Sequence, residues 1–311
     1  MSKFAFVFPG QGSQSRGMMN GYADFPMVQD TFVEAGDILK QDLWQLAAEG
    51  SDAELNATVN TQPLMLTAGV AVYRAWQSLN GPAPKLLAGH SLGEYTALVA
   101  GGAISFADAL PLVRYRAECM QQAVPEGVGG IAAILGLDDD SVRAVCSEAA
   151  QGEVLEAVNY NSPGQVVIAG NRGAVERGME LAKARGAKRA LMLPMSVPSH
   201  CSLLQGAAEK LRTYLGNVAV QAPTIPVLHN ADVQSYSDAA SIKDALVRQL
   251  YSPVRWVETV QAFGQAGIAY NAECAPGKVL AGLNKRIDSN QQALALNDGE
   301  ALKQALAAFT Q

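Results

Sequence analysis

Residues 86–100, Leu-Leu-Ala-Gly-His-Ser-Leu-Gly-Glu-Tyr-Thr-Ala-Leu-Val-Ala, contain the signal that decides the fold. The apolar run at residues 86–88 predicts a short buried strand, and residues 94–100 predict a helix directly behind it. The glycines between them allow the chain to turn sharply. A strand that passes through a tight turn into a helix is the repeating unit of α/β proteins, in which helices cover a mostly parallel sheet.

The same alternation of short apolar strands and helices occurs on both sides of this unit. Before it, the sequence predicts a strand at residues 4–8 and helices at residues 28–39 and 63–79. Toward the carboxyl end, short strands alternate with helices again, and these strands are predicted at residues 226–229, 268–274 and 294–296.

A different order of elements is predicted in the middle of the chain. Strands and helices follow one another there as β-α-β-β-α-β, the ferredoxin-like arrangement. The predicted strands are residues 131–137, 154–159, 165–169 and 190–194, and the predicted helices are residues 139–150 and 174–185. We therefore expect a large α/β subdomain formed by residues 1–126 and 197–311, with a small ferredoxin-like subdomain inserted at residues 127–196.

Composition favours a folded protein without a general attraction to nucleic acid. With 49% hydrophobic and 17% charged residues, the chain has enough apolar side chains for a large core. The 29 acidic residues outnumber the 23 lysines and arginines, and the net charge of −6 argues against binding nucleic acid through the overall field. An acidic partner would have to meet a local basic patch.

Cysteine spacing and the apolar runs indicate a cytoplasmic protein. Cys119, Cys146, Cys201 and Cys274 form no CxxC pair, which favours reduced thiols over a zinc site or a redox motif. No apolar run reaches the roughly 18 to 20 residues of a membrane helix, and the run at residues 4–8 is too short for a signal peptide. The three histidines form no metal-binding motif, so we expect no metal.

The motif Gly89-His90-Ser91-Leu92-Gly93 matches the G-x-S-x-G nucleophile elbow. In such an elbow the glycines permit a sharp strand-to-helix turn, which lifts the serine hydroxyl out of the sheet toward a substrate. The motif therefore predicts a nucleophilic serine. A serine in a tight glycine turn without chemistry is the alternative interpretation.

A serine hydroxyl is a poor nucleophile at neutral pH and needs a base, for which the chain offers three histidines. His90 adjoins the serine, and a tight elbow would point it elsewhere, so we expect it to pack or hydrogen-bond within the site. His229 ends an apolar strand, where a buried and satisfied histidine is the common case. His200 lies where the inserted subdomain returns to the main one, a favoured place for a cleft. The position favours His200 as the base and leaves His229 as the alternative.

The glycine-rich turn Pro9-Gly-Gln-Gly-Ser-Gln14 follows the first predicted strand. It fits neither a dinucleotide-binding motif nor a P-loop, because the third glycine position holds Ser15 and no Lys-Ser or Lys-Thr follows. Beside the serine, such a turn could donate backbone N–H groups to a developing oxyanion, with the N–H of Leu92 as a second donor. An ordinary strand-to-helix turn is the alternative.

Five segments of the chain together resemble one enzyme family. They are Phe8-Pro-Gly-Gln-Gly-Ser-Gln14, Ala88-Gly-His-Ser-Leu-Gly-Glu-Tyr95, Asn161-Ser-Pro-Gly-Gln-Val-Val-Ile-Ala-Gly170, Ser196-Val-Pro-Ser-His200 and Pro276-Gly-Lys-Val-Leu280. The combination resembles the malonyl-CoA:acyl carrier protein transacylases of bacterial fatty-acid synthesis over nearly the whole chain. The resemblance implies a hydrolase-like α/β core with an inserted ferredoxin-like subdomain, in agreement with the strand order.

The resemblance also implies roles for individual residues of the site. Ser91 would be the nucleophile and His200 its base. Gln11 and Leu92 would supply the N–H groups of the oxyanion hole. These four residues come from the segments quoted above.

The resemblance implies roles for two further residues, and this chain differs from the family pattern at one position. Arg116 would bind the free carboxylate of the substrate, although without the resemblance it would be interpreted as a surface charge on a helix. The backbone carbonyl of Gln249 would orient His200. The family usually has Gly-Pro-Gly where this chain has Ala275-Pro-Gly277, and Ala275 would strain the turn if that position required a positive φ.

The implied activity is the transfer of a malonyl group from malonyl-CoA to the phosphopantetheine thiol of acyl carrier protein, through a malonyl-serine intermediate. No cofactor beyond these substrates is expected, and the chain is expected to be a monomer. Carrier proteins of this system are typically acidic, so we expect one to dock transiently on a basic cluster of this chain. The alternative is that these basic residues only form a solvated surface. The cluster consists of Lys183, Arg185, Lys188 and Arg189, with Lys285-Arg286 as a second candidate.

Two other functions fit part of these observations. A serine esterase or thioesterase shares the elbow, but its usual order ends in a late histidine, and no histidine follows His229. Hydrolysis also needs no arginine for a free carboxylate. A non-catalytic carrier-docking module on the same fold would not need both Ser91 and His200. The sequence leaves open the tolerance of acetyl or substituted malonyl groups and the choice between fatty-acid and polyketide pathways.

Overall fold

The computed structural model describes residues 3–125, 127–195 and 197–310. Its strands, in chain order, are β1 Phe4–Phe8, β2 Leu86–Gly89, β3 Gly129–Leu135, β4 Leu155–Ser162, β5 Gln165–Asn171, β6 Arg189–Met192, β7 Val227–Leu228, β8 Tyr270–Glu273 and β9 Gln292–Ala295. Its helices are α1 Pro26–Leu39, α2 Leu43–Glu49, α3 Asp52–Asn56, α4 Thr58–Ser78, α5 Gly93–Ala100, α6 Phe106–Ala123, α7 Asp139–Ala150, α8 Arg172–Ala184, α9 Gln205–Leu215, α10 Ala239–Gln249, α11 Trp256–Gln265, α12 Val279–Ile287 and α13 Gly299–Thr310.

The described residues form one parallel sheet, with the strands in the order β7-β2-β1-β8-β9. Its central strand β1 is fully buried, because helices cover both faces of the sheet. On one face, the ring of Phe6 lies 5.2 Å from that of Trp76 in α4. On the other, the alanine and valine of β1 belong to a cluster with Trp256 and Phe263 of α11. The parallel sheet and its two helical layers confirm the predicted α/β fold.

A second, antiparallel sheet has the strand order β4-β5-β3-β6 and lies entirely between residues 129 and 192. Helices α7 and α8 pack on one face, where Ile134 and Ile168 meet Val142 and Val175. The opposite face packs against Cys201, just after the chain leaves this region. The β-α-β-β-α-β order is therefore as predicted. The subdomain boundaries, between residues 126 and 127 and between residues 196 and 197, remain a prediction, and residues 126 and 196 lie outside the described residues.

The structure differs from the sequence prediction mainly in short elements. Helices α2 and α3 were not predicted, because seven and five residues are too few to display a helical period. Their caps were visible signals: Asp42 accepts from the N–H of Gln45, and Ser51 with Glu54 forms a capping box. The predicted strand at residues 190–194 ends at Met192, ahead of Pro194, which has no N–H to donate to a sheet.

Two further expectations have a structural outcome. Ala275 does not have a positive φ, so the alanine in place of glycine adds no strain of the kind considered above. None of the described helices combines the length and the apolar character that crossing a membrane requires.

Candidate active site

The turn between β2 and α5 places Ser91 at the carboxyl edge of the parallel sheet. Ser91 has φ 53°, a left-handed conformation that residues other than glycine rarely adopt. A Cβ at Gly89 would lie 1.8 Å from the carbonyl carbon of Gly93, and a Cβ at Gly93 would lie 1.9 Å from the carbonyl oxygen of Phe8. Both glycines of the motif are therefore required by close backbone contacts.

His200 lies beside this serine and is almost completely buried. Its Nε2 is 2.8 Å from Ser91 Oγ, and its Nδ1 is 2.7 Å from the backbone oxygen of Gln249. Because a carbonyl oxygen can only accept, Nδ1 carries the hydrogen and Nε2 is free to accept from the serine hydroxyl. Burial, followed by the charge of Arg116, lowers the pKa of His200 from 6.5 to about 3. The imidazole is therefore neutral at pH 7 and able to take a proton.

Arg116 brings a positive charge into the same site. It lies on α6 and is 1% exposed, and its Nη2 is 3.3 Å from Ser91 Oγ. The guanidinium donates to the side-chain oxygens of Gln62 and Gln249, at 2.8 Å and 3.0 Å, and lies over the ring of Tyr95. Among the residues the structure describes, no carboxylate forms an ion pair with it. Burial lowers the pKa of Arg116 from its usual value, yet a guanidinium stays charged in proteins. A buried cation without a paired anion suits a carboxylate ligand.

The turn after β1 lies against the elbow, as the oxyanion-hole prediction requires. A Cβ at Gly10 would be 2.6 Å from the oxygen of His90 and 3.5 Å from the nitrogen of Leu92. Within the described part of the chain, the backbone N–H groups of Gln11 and Leu92 have no hydrogen-bond partner. Two free N–H groups on adjoining turns are the donors that an oxyanion would need.

The remaining histidines have other partners. His90 Nε2 lies 2.8 Å from Asn161 Oδ1, and burial lowers the pKa of His90. His229 Nδ1 lies 2.6 Å from Glu94 Oε1, and its hydrogen bond is to that carboxylate rather than to the serine. The geometry thus brings His200, and neither of the others, into hydrogen-bond contact with Ser91.

Comparison with known proteins gives the family. The chain matches the acyl transferase domain family over residues 5–295. The chain belongs to the acyl transferase family. It is 55% identical to the malonyl CoA-acyl carrier protein transacylase of Salmonella typhimurium, over 98% of this chain and 99% of the relative. It is 42% identical to the transacylase of the same name from Bacillus subtilis, over 98% of this chain and 97% of that relative.

Solved structures agree with this assignment. The acyl-carrier-protein S-malonyltransferase of Burkholderia pseudomallei has a TM-score of 0.97 and 61% identity, and the match covers 98% of this chain and 99% of that one. A malonyl-transacylase solved in complex with a type II polyketide acyl-carrier protein has a TM-score of 0.97 and 51% identity, over 99% of this chain and 100% of that one.

A cleft leads to the serine of this acyl transferase. Its outer part has a volume of about 390 Å³ and lies between the turn after β1, the small sheet and α12; its lining includes Gln11, Asn161, Val167 and Leu280. A smaller cavity of about 50 Å³ is lined by Ser91, His200, Arg116 and Leu92. Because Gln11 and His90 line both spaces, the cavity that holds the reacting atoms adjoins the outer part of the cleft.

The basic residues predicted to dock a partner are all exposed in this acyl transferase. Arg185 is paired with Glu148, and Arg286 donates to Gln165. Among the described residues, Lys183, Lys188 and Arg189 have no acidic partner. Arg189 is the first residue of the edge strand β6, which also exposes Leu191 and Met192.

Sequence reasoning missed three polar residues around the acyl transferase site. Glu94, Asn230 and Gln62 are almost completely buried and contact the residues already described. Glu94 has the clearest signal in the sequence, since it is the one carboxylate in an otherwise uncharged helix at residues 94–100. In the described ranges no three histidine, cysteine or acidic side chains cluster as metal ligands would.

Proposed function

We propose that this acyl transferase moves a malonyl group from malonyl-CoA to the phosphopantetheine thiol of acyl carrier protein, with Ser91 carrying the malonyl group between them. The observation that supports this most strongly is the guanidinium of Arg116, which lies 3.3 Å from Ser91 Oγ and has no carboxylate partner among the described residues. An acyl group on Ser91 that ends in a free carboxylate would place this carboxylate near the positive charge of Arg116. The names of the relatives with 55% and 61% identity agree with this substrate.

The first half-reaction begins at the serine. Neutral His200 takes the proton of Ser91 as Oγ attacks the thioester carbonyl of malonyl-CoA. The N–H groups of Gln11 and Leu92 stabilise the negative oxygen of the tetrahedral intermediate. His200 then gives the proton to the departing coenzyme A thiolate, and malonyl-Ser91 remains.

The second half-reaction reverses these roles. The phosphopantetheine thiol loses its proton to His200 and attacks the malonyl ester, and Ser91 leaves with that proton. Arg116 holds the malonate carboxylate throughout, and its planar fork can donate hydrogen bonds to both carboxylate oxygens at once, which a lysine cannot do in the same geometry. The backbone oxygen of Gln249 stabilises the imidazolium that forms in each half-reaction, since it accepts the Nδ1 hydrogen at 2.7 Å.

We assign the outer cleft to the pantetheine arm. Coenzyme A and the carrier protein carry the same flexible arm, so one cleft serves both thiols in turn. The small sheet forms one wall of this cleft and the turn after β1 another, which supports the proposed division into residues 1–126 with 197–311 and residues 127–196. Four buried free cysteines support a cytoplasmic setting.

The proposal is tested by incubating the protein with malonyl-CoA and phosphopantetheinylated carrier protein and weighing the carrier. We expect the carrier to gain one malonyl group, and we expect the same carrier without phosphopantetheine to gain none. An esterase or thioesterase would instead release coenzyme A and malonate while leaving the carrier unchanged. That result would contradict the proposed function.

Replacing Arg116 by alanine should remove the preference for malonyl groups. Losing one partner of a buried charge pair costs about 2 kcal/mol or more, so kcat/KM for malonyl-CoA should fall by about 30-fold or more. Acetyl-CoA has no carboxylate and should lose much less, so the malonyl-to-acetyl ratio should flatten or reverse. Arg116→Lys is the matched control, and it should keep part of the preference because it keeps the charge. An unchanged ratio in Arg116→Ala would refute the role.

We propose that the carrier protein docks on the basic cluster of residues 183–189. Two observations support this surface: three of its cations have no acidic partner among the described residues, and the adjoining strand exposes Leu191 and Met192. Charge there would attract an acidic partner although the chain as a whole is negative. The exposed apolar side chains would then pack against it.

Charge reversal of Lys188 and Arg189 to glutamate should raise KM for the carrier protein about fivefold or more at low salt. The effect should fade near physiological salt, because the Debye length falls from about 30 Å at 0.01 M to about 8 Å at 0.15 M. Acylation by malonyl-CoA should not change. The matched control reverses Lys3 and Lys85, which are exposed at the amino-terminal edge of the large sheet, opposite Ser91. Equal effects of both double variants on the carrier KM would contradict the docking surface.

A further inference from the structure

Glu94 is a charged residue with no exposed surface, three positions after Ser91 in the first turn of α5. Its Oε1 accepts from His229 Nδ1 at 2.6 Å, and its Oε2 accepts from the backbone N–H of Asn230 and from Gln249 Nε2, both at 2.9 Å. A buried carboxylate is retained in a fold only when its oxygens are well satisfied. Here three donors converge on it from two distant segments of the chain.

The partners of Glu94 in turn hold the backbone of the serine. Asn230 accepts from the N–H of Ser91 at 2.7 Å and donates to the oxygen of Gly89 at 2.6 Å. Gln249 Nε2 also donates to the oxygen of Ser91, at 2.8 Å. Both backbone polar groups of Ser91, which has a positive φ, are therefore bound by side chains of residues that Glu94 holds: Asn230 through its backbone N–H and Gln249 through its side-chain amide.

Gln249 also connects Glu94 to the arginine. Its amide nitrogen faces the carboxylate of Glu94, and its amide oxygen accepts from Arg116 Nη2 at 3.0 Å. An amide between an anion and a cation is polarised by both, which strengthens the two hydrogen bonds. The charge of Arg116 is thus balanced through one intervening amide, and the guanidinium is not occupied by a direct carboxylate pair.

We propose that Glu94 is a positioning residue that acts through the side chain of Gln249, aligning Arg116 and the Ser91 backbone, and that it thereby sets the preference for malonyl over acetyl groups. This inference rests on the proposed malonyl transfer. A glutamate that paired directly with Arg116 would compete with the substrate carboxylate. The intervening amide orients the guanidinium without that competition.

The test compares the malonyl-to-acetyl ratio of kcat/KM for Ser91 acylation in Glu94→Ala, Gln249→Ala and the double variant. Gln249→Ala keeps the backbone oxygen that contacts His200. Each single variant should lower the ratio about tenfold, and the double variant should also lower it about tenfold, because both substitutions remove one shared path. A hundredfold loss in the double variant would mean independent effects and would overturn the proposal.

Two controls separate positioning from a loss of stability. Glu94→Gln keeps an oxygen toward Asn230 and Gln249 if its amide nitrogen faces His229, whose tautomer can change to accept it. This variant should keep the ratio within about threefold of wild type. Gln291→Ala removes another buried glutamine, whose amide contacts Asn271 and Val260 beside β9, and should lower the melting temperature without changing the ratio.

If Glu94→Ala fails to fold, Gln249→Ala alone still tests the proposal. A wild-type ratio in folded Gln249→Ala would by itself overturn the proposal. The side chain of Gln249, through which Glu94 is proposed to act, would then have no effect on the malonyl-to-acetyl ratio. A wild-type protein that does not transfer malonyl groups at all would instead contradict the proposed function on which the inference rests. The two failures are therefore distinguishable.

Discussion

Ser91→Ala should abolish malonyl transfer, with a loss of kcat on the order of 10⁴ or more. His200 Nε2 contacts the Ser91 hydroxyl at 2.8 Å, and the turn that carries Gln11 lies against the backbone of Ser91 and Leu92. Without Oγ the acyl group has no covalent carrier between the two thiols. Steady-state release of coenzyme A and transfer to the carrier protein measure this loss.

The matched control for this variant is Ser78→Ala, which removes an exposed hydroxyl at the end of α4 that bonds, within the described ranges, only to the oxygen of Ala75. It should transfer malonyl groups as the wild-type protein does. Both variants should melt at temperatures close to that of the wild type. Substantial malonyl transfer by a folded Ser91→Ala protein would show that another group carries the acyl chain.

His200→Ala should slow acylation of Ser91 by roughly 10²- to 10⁴-fold, the usual contribution of general-base catalysis. The imidazole is neutral at pH 7, because burial lowers its pKa to about 3, so its removal takes away a base that is present in nearly every molecule. Stopped-flow release of coenzyme A from malonyl-CoA measures the acylation step alone.

His229→Ala is the comparison that discriminates between the two candidate bases. His229 hydrogen-bonds to Glu94 rather than to Ser91, so its loss should reduce the rate of acylation by no more than about tenfold. If His229→Ala were the more severely impaired of the two variants, His200 would not be the base.

The fold was largely predictable because its signals are local. A five-residue apolar strand followed by a glycine turn, and a helix behind each short strand, appear as periodicity within a few residues of sequence. The β-α-β-β-α-β order of the small sheet was predictable for the same reason. Helices α2 and α3 were not, since they are shorter than two full periods and only their capping residues mark them.

The site was predictable only in part because its residues come from distant segments. The elbow identified Ser91 locally, but His200 and Gln249 lie 109 and 158 residues further along the chain. Position alone left His200 and His229 as alternatives, and the distances distinguish them. The burial of Arg116 had a visible signal, since Val113, Ala117 and Met120 surround it on the buried face of α6. Nothing local indicated that Glu94 would meet Gln249.

The central claim is that Ser91 carries the malonyl group, and mass measurement of the wild-type protein, before and after digestion, tests it most directly. The protein is mixed with malonyl-CoA, digested and mapped, and a second sample receives phosphopantetheinylated carrier protein before digestion. We predict one malonyl group per chain, on the peptide that contains Ser91, and its disappearance when the carrier is added. Malonyl transfer to the carrier with no adduct on the protein, or with the adduct on another residue, would contradict the account.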